Sequence, residues 1–159
     1  MIEIYDHYAD KIFRHLYFRL HDREQALDLM QETFMKTFVY MQNKGPLQNV
    51  QAFLYKVANN LIFDQYKKKK THSLEQLQEE GFTPSIDDTS QLKNKIDADK
   101  ILEIVGGIPP QYRTVIVMRY VDELSIEEIA EVLGETKNTI SVKINRAIHH
   151  VRKLLKNYE

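Results

Sequence analysis

Apolar side chains recur at spacings of three and four along almost the whole chain, with no strand-type alternation, and that periodicity restricts the fold to helices. Tyr5, Tyr8, Ile12, Leu16 and Leu20 form one stripe on a first helix. A second begins at Asp22, an N-cap with Gln25 three places on in the capping-box pattern that satisfies free backbone donors. Its Ala26, Leu29, Met30, Thr33, Phe34 and Phe38 face a core, leaving Asp28, Gln31, Glu32 and Met35 on the other side. Lys44, Gly45 and Pro46 mark a loop. A third helix is predicted from about Asn49 to Lys69, with Phe53, Leu54, Val57, Ala58, Leu61 and Ile62 inward and a lysine run at its end, where cations suit the helix dipole.

The stretch from Thr71 to about Lys95 holds Gly81, Pro84, Ser85 and several acids without a sustained apolar period, and reads as a flexible acidic linker. Helical periodicity resumes over Ile96–Val105 and breaks at Gly106, Gly107, Ile108 and Pro109. Pro110 suits the first turn of the next helix, which runs through Val121 with Val115, Met118 and Val121 inward. Ser125 with Glu128 forms a capping box before the short apolar pattern Ile126, Ile129, Ala130 and Leu133. Gly134 stops that helix, Thr136 caps again, and a last helix carries Ile140, Ile144, Ala147, Ile148, Val151, Leu154 and Leu155 on one side. A short helix, a turn with glycine and a longer basic helix form a helix-turn-helix signature. The expected fold is all-α: two small helical domains, 1–70 and 96–159, joined by the linker 71–95, the C-terminal one a helix-turn-helix.

A net charge of -1 argues against nucleic acid until its distribution is followed. Lys67, Lys68, Lys69 and Lys70 close the first domain; Lys137, Lys143, Arg146, Arg152, Lys153 and Lys156 lie in a final stretch without an acid, and an acidic connector separates the two. On the last helix the apolar stripe turns Asn138, Ser141, Val142, Asn145 and His149 outward, flanked by Lys137, Lys143 and Arg146. Such a face fits a major groove, polar tips reading base edges and cations meeting phosphates; a solvated amphipathic helix is the blander alternative.

The absence of cysteine excludes a disulfide framework and thiolate metal sites and suits a reducing cytoplasm. Glu3, Asp6 and Asp10 stand where a signal peptide would be apolar, and no run approaches the roughly 20 apolar residues that span a bilayer, so a cytoplasmic chain without membrane insertion is expected. Enzyme motifs are missing: no Gly-rich phosphate loop, no Gly-x-Ser-x-Gly elbow, no His-Glu-x-x-His. No catalytic residue, metal site or cofactor is expected. Adjacent His149 and His150 point about 100 degrees apart on a helix.

Ile108, Pro109, Tyr112, Arg113, Val115, Met118, Arg119, Leu124, Ser125, Glu128, Ile129, Ala130, Leu133, Gly134, Thr139, Arg146 and Ala147 resemble region four of the sigma-70 family. Ala26, Asp28, Leu29, Gln31, Glu32, Thr33, Phe34 and Phe38 resemble the polymerase-binding helix of region two, and Phe53, Leu54, Val57, Ala58, Asn60, Asp64 and the following lysines its minus-10 helix. With no third domain between, the likeness is to extracytoplasmic-function (ECF) RNA polymerase sigma factors. The resemblance implies that Asp28, Gln31, Glu32 and Met35 meet the beta-prime clamp of core polymerase. It implies that Asn59, Asn60, Asp64 and Lys67–Lys70 contact the minus-10 element, a flipped base being held with help from the loop Asn43–Asn49. Lys137, Asn138, Thr139, Ser141, Val142, Lys143, Asn145 and Arg146 would contact the minus-35 element, and the second domain the beta flap. An anti-sigma factor is a further implied partner. Ser141 and Val142 depart from the family's preference for a basic and a small polar residue there, and Phe53 stands where tryptophan is commoner. A stand-alone helix-turn-helix regulator and a helical adaptor without DNA function are the rival readings.

Overall fold

The computed structural model describes residues 2–76 and 94–157, with side chains up to Lys69 and from Asp99 onward. Most of the expected linker, 71–95, lies outside the described residues. Helices α1 (Ile2–Leu20), α2 (Arg23–Lys44) and α3 (Val50–Gln76) form the first unit; no strand occurs among the described residues. Asp22 caps α2, its carboxylate accepting from the Gln25 N–H at 3.2 Å. Gly45 ends it at φ 88°, a conformation that penalises any side chain. Asn49 opens α3, its Oδ1 accepting from the Ala52 N–H at 3.0 Å. The expectation that α3 stops at its lysines is corrected: it continues to Gln76, because nothing between Lys67 and Gln76 is glycine or proline and helix formers predominate.

Ile12 and Leu16 of α1, Ala26, Leu29, Met30 and Phe34 of α2, and Leu54, Ala58, Leu61 and Ile62 of α3 are buried together. Thr33 and Thr37 lie among them without stranding their hydroxyls, which donate to the carbonyls of Leu29 and Thr33 at 2.6 and 2.8 Å.

The second unit comprises α4 (Asn94–Gly106), α5 (Pro110–Ile116), α6 (Ile126–Leu133) and α7 (Lys137–Lys156). Pro110 occupies the first turn of α5, as its missing N–H allows. The helix reaches Val121 as expected, but over Val117–Val121 it widens to a π-helical turn, the Asp122 N–H donating to the Val117 carbonyl at 2.9 Å. Thr114, Val115, Ile116, Val117 and Met118 are all buried, more consecutive residues than one face of a regular helix can bury, because α7 packs on one side and α1 on the other.

Both halves of the Ser125–Glu128 capping box form, with bonds of 3.1 and 3.2 Å. Replacing Ser125 with alanine is expected to lower unfolding free energy by about 1 kcal/mol, measured by urea denaturation. Gly134 takes the left-handed conformation at φ 67°, and the Thr136 hydroxyl accepts from the Thr139 N–H at 3.2 Å to start α7.

The units do not stand apart. Their apolar residues form one continuous cluster, with α1 against α4 and the π-helical turn, and α3 against α6.

Candidate polymerase and nucleic-acid interfaces

Three surfaces carry the residues singled out from the sequence. On α2, Asp28, Gln31, Glu32 and Met35 are all exposed, Met35 to 66%. The neighbouring Tyr5, Phe34, Phe38 and Val39 line a shallow apolar groove with Gln31 and Met35. Exposed apolar surface rimmed by carboxylates and amides is what a docking face requires. Val39 and Tyr40 escaped the sequence reading because they follow the last inward position of the stripe, yet they stand 50% and 42% exposed. Glu32 meets Lys36 at 3.6 Å in an exposed pair that leaves it free to exchange partners.

On α3, Asn60, Asp64, Lys67, Lys68 and Lys69 are exposed, whereas Lys70 contributes its place in the helix. Asn59 is different: it is 3% exposed, and its Oδ1 accepts from Arg19 Nη1 at 2.6 Å. Its amide belongs to the interior, one helical step away from the face that carries Asn60. Burial pushes the Arg19 guanidinium down to about 10, so it stays charged at neutral pH, and the nearby Arg113 acts in the same direction against Tyr66 and Asp122. Phe63 was missed. It is 50% exposed and shares a helical face with Asn60, Asp64 and Lys67 through three- and four-residue spacing; an aromatic off the inward stripe was the available signal.

On α7, Lys137, Asn138, Thr139, Val142, Asn145 and Arg146 are exposed, and Ser141 and Lys143 half-buried. They form one outward face, as the stripe of Ile140, Ile144 and Ala147 dictates. Lys143 is already engaged, its Nζ lying 2.7 and 2.8 Å from the Glu135 carboxylate oxygens. Lys137 stands 3.6 Å from Glu127 in an exposed pair, and the Thr139 hydroxyl is 2.8 Å from that of Thr136 in the cap. Tyr112 stacks on His150, ring centroids 5.0 Å apart, and so braces α5 against α7.

Among the described residues no group of three or more His, Asp or Glu side chains could hold a metal ion, and no helix is long and apolar enough to cross a membrane.

Residues 4–72 match the family model for sigma-70 region 2, and residues 98–151 the model for sigma-70 region 4. The chain is 34% identical over 170 residues to the ECF RNA polymerase sigma factor SigW of Bacillus subtilis, covering 98% of this chain and 88% of that protein. This chain belongs to the ECF sigma factors of the sigma-70 family. The sigma factor is also 27% identical to the RNA polymerase sigma factor YlaC of Bacillus subtilis, over 97% of its own length and 88% of YlaC. Its fold matches the sigma factor RpoE solved with the anti-sigma factor NepR from Bartonella quintana, at TM-score 0.82 and 19% identity over 97% of this chain and 95% of that one. CnrH, solved with the cytosolic domain of CnrY, matches at TM-score 0.74 and 17% identity over 99% and 88% of the two chains. Like its family, this protein is an RNA polymerase sigma factor that initiates transcription from promoters; sigma factors regulate transcription rather than catalyse a reaction.

Proposed function

We propose that residues 1–70 dock on core polymerase and capture the minus-10 element, that 96–159 read the minus-35 element and meet the beta flap, and that 71–95 connect them. The observation that carries this reading is the outward placement of three residue sets on three separate helices, each within the matching family region. Asp28, Gln31, Glu32 and Met35, with the apolar groove beside them, present a mixed face to the beta-prime clamp. Asn60, Asp64 and Phe63 form the strip against which an unstacked non-template base can stack and bond, and Lys67 to Lys70 lie where its phosphates would follow. Asn59 serves this strip from beneath, as the partner of Arg19 that fixes α1 on α3. The protein works in the cytoplasm, and an anti-sigma factor covers part of these faces, by analogy with the complexes of RpoE and CnrH. A reconstituted run-off assay with core polymerase tests the whole: promoter-dependent transcripts are expected, and a chain that binds promoter DNA tightly alone but directs no initiation would overturn it.

The two kinds of contact on α7 should fail differently. Replacing Asn145 or Ser141 is expected to change which minus-35 bases are preferred, each lost good base contact removing about 1 to 3 kcal/mol of discrimination. Lys137→Ala should instead lower activity on all promoters together and flatten the salt dependence by about one unit. Lys143→Ala should do less, because Glu135 already holds that ammonium. Transcription of a randomised minus-35 library by each variant reads both effects.

A further inference from the structure

The cations of α7 are not equivalent. Lys137 and Lys143 each meet a carboxylate that comes from outside the helix, but the two pairs differ in kind. Lys143 Nζ donates to both Glu135 oxygens at 2.7 and 2.8 Å, with side chains only 28% and 32% exposed. Lys137 Nζ lies 3.6 Å from a single oxygen of Glu127, with side chains 67% and 62% exposed. Glu135 stands in the turn between Gly134, which ends α6, and Thr136, which caps α7, and its own N–H donates to the Ala130 carbonyl at 3.1 Å. The backbone of the turn is therefore held by groups other than the carboxylate, whose partner among the described residues is Lys143.

We propose that Glu135 is a positioning residue that sets the DNA affinity of α7: its carboxylate occupies the Lys143 ammonium in place of a DNA phosphate. The proposal rests on the reading of α7 as the minus-35 helix. A free lysine that meets a phosphate displaces a counter-ion and gains affinity. Lys143 must first leave its acid, and the abandoned carboxylate then lies beside the incoming phosphates and repels them. Salt and water loosen the exposed pair of Lys137 and Glu127 but act far less on one so close and half-buried. Phosphate contacts are blind to sequence, so holding one cation back leaves a larger share of promoter binding to the side chains that touch bases.

Holoenzyme reconstituted from core polymerase and the full chain, titrated with promoter DNA at about 50 and about 200 mM salt, tests this. Glu135→Gln should tighten binding about tenfold at the lower salt and about threefold at the higher, the salt dependence steepening by about one unit, as one added phosphate contact requires. In a Lys143→Ala background the same substitution should lose most of its effect. Glu127→Gln removes the same charge from the exposed pair and should leave affinity within about twofold of wild type. Glu135→Gln should raise activity across a randomised minus-35 library without changing which bases are preferred, and its urea unfolding midpoint should match wild type. Equal gains from Glu127→Gln and Glu135→Gln would overturn the proposal by reducing the effect to net charge. Unchanged affinity and salt slope in Glu135→Gln, a gain that persists in full without Lys143, or altered base preferences would overturn it too. Scrambling the minus-35 element should weaken wild-type binding; if it does not, the minus-35 reading itself falls, whereas a sequence-dependent wild type with no effect of Glu135→Gln refutes the role of Glu135 alone.

Discussion

Reversing the charges at Asp28 and Glu32 together should weaken binding to core polymerase about a hundredfold or more, the scale on which truncating a desolvated charged contact costs 2 to 5 kcal/mol. Both side chains are exposed and bond to nothing in the core, so helicity and unfolding temperature should stay at wild-type values. Only the surface changes. The groove beside them gives the comparison that separates charge from burial: Met35→Ala should also weaken docking, through lost apolar area, but with little dependence on salt. Titration of labelled core polymerase at two salt concentrations reads all three proteins, and wild-type affinity in the folded double reversal would remove α2 from the docking face.

Arg113→Ala should destabilise the second unit by about 2 kcal/mol, because hydrogen bonds from a charged donor contribute more than neutral ones and the part-buried Ile108 carbonyl loses its partner. Arg113 donates through Nε to Val105 at 2.9 Å and through Nη2 to Gly106 and Ile108 at 3.0 and 3.1 Å. These are carbonyls at the end of α4 and in the turn that follows; Val105 also accepts from the Ile108 N–H at 3.2 Å, so the guanidinium matters most for Gly106 and Ile108. Arg113→Lys should not restore the loss, since an ammonium on a flexible stem cannot reach three carbonyls at once as the guanidinium does through Nε and Nη2. Urea denaturation of both variants measures the effect, and a loss below about 1 kcal/mol would mean that water replaces the fork.

Much of this architecture could be read from spacing alone. The stripes of Ile12 and Leu16, of Leu29, Met30 and Phe34, and of Ile140, Ile144 and Ala147 each became a buried face, since a helix that packs on one side writes that side into every third or fourth residue. The caps at Asp22, Ser125 and Thr136 were equally legible, because capping is local chemistry. What escaped was what is set by contacts between one element and another. His15, Arg19, Tyr55 and Asn59 are buried although each lies outside a simple apolar stripe, and their partners stand far away in the chain or on a neighbouring helix. The tie between Lys143 and Glu135 was hidden for the same reason: it spans the turn before α7 rather than one helix face. Residue type alone could not say which lysine of the basic helix was already engaged.

The widened turn at Val117–Val121 also changes how positions in this protein should be counted. One additional residue in a turn rotates everything beyond it by about 100 degrees relative to an unbroken helix. Extrapolating the phase of α5 past Met118 therefore points Asp122 away from His15, the histidine that it meets. Deleting a single residue within the turn would let the segment relax to regular helix, shorten it by one step and swing Asp122 out of register with α1, while leaving α7 intact. Such a deletion would change how the second unit sits on α1 without altering any residue of α6 or α7.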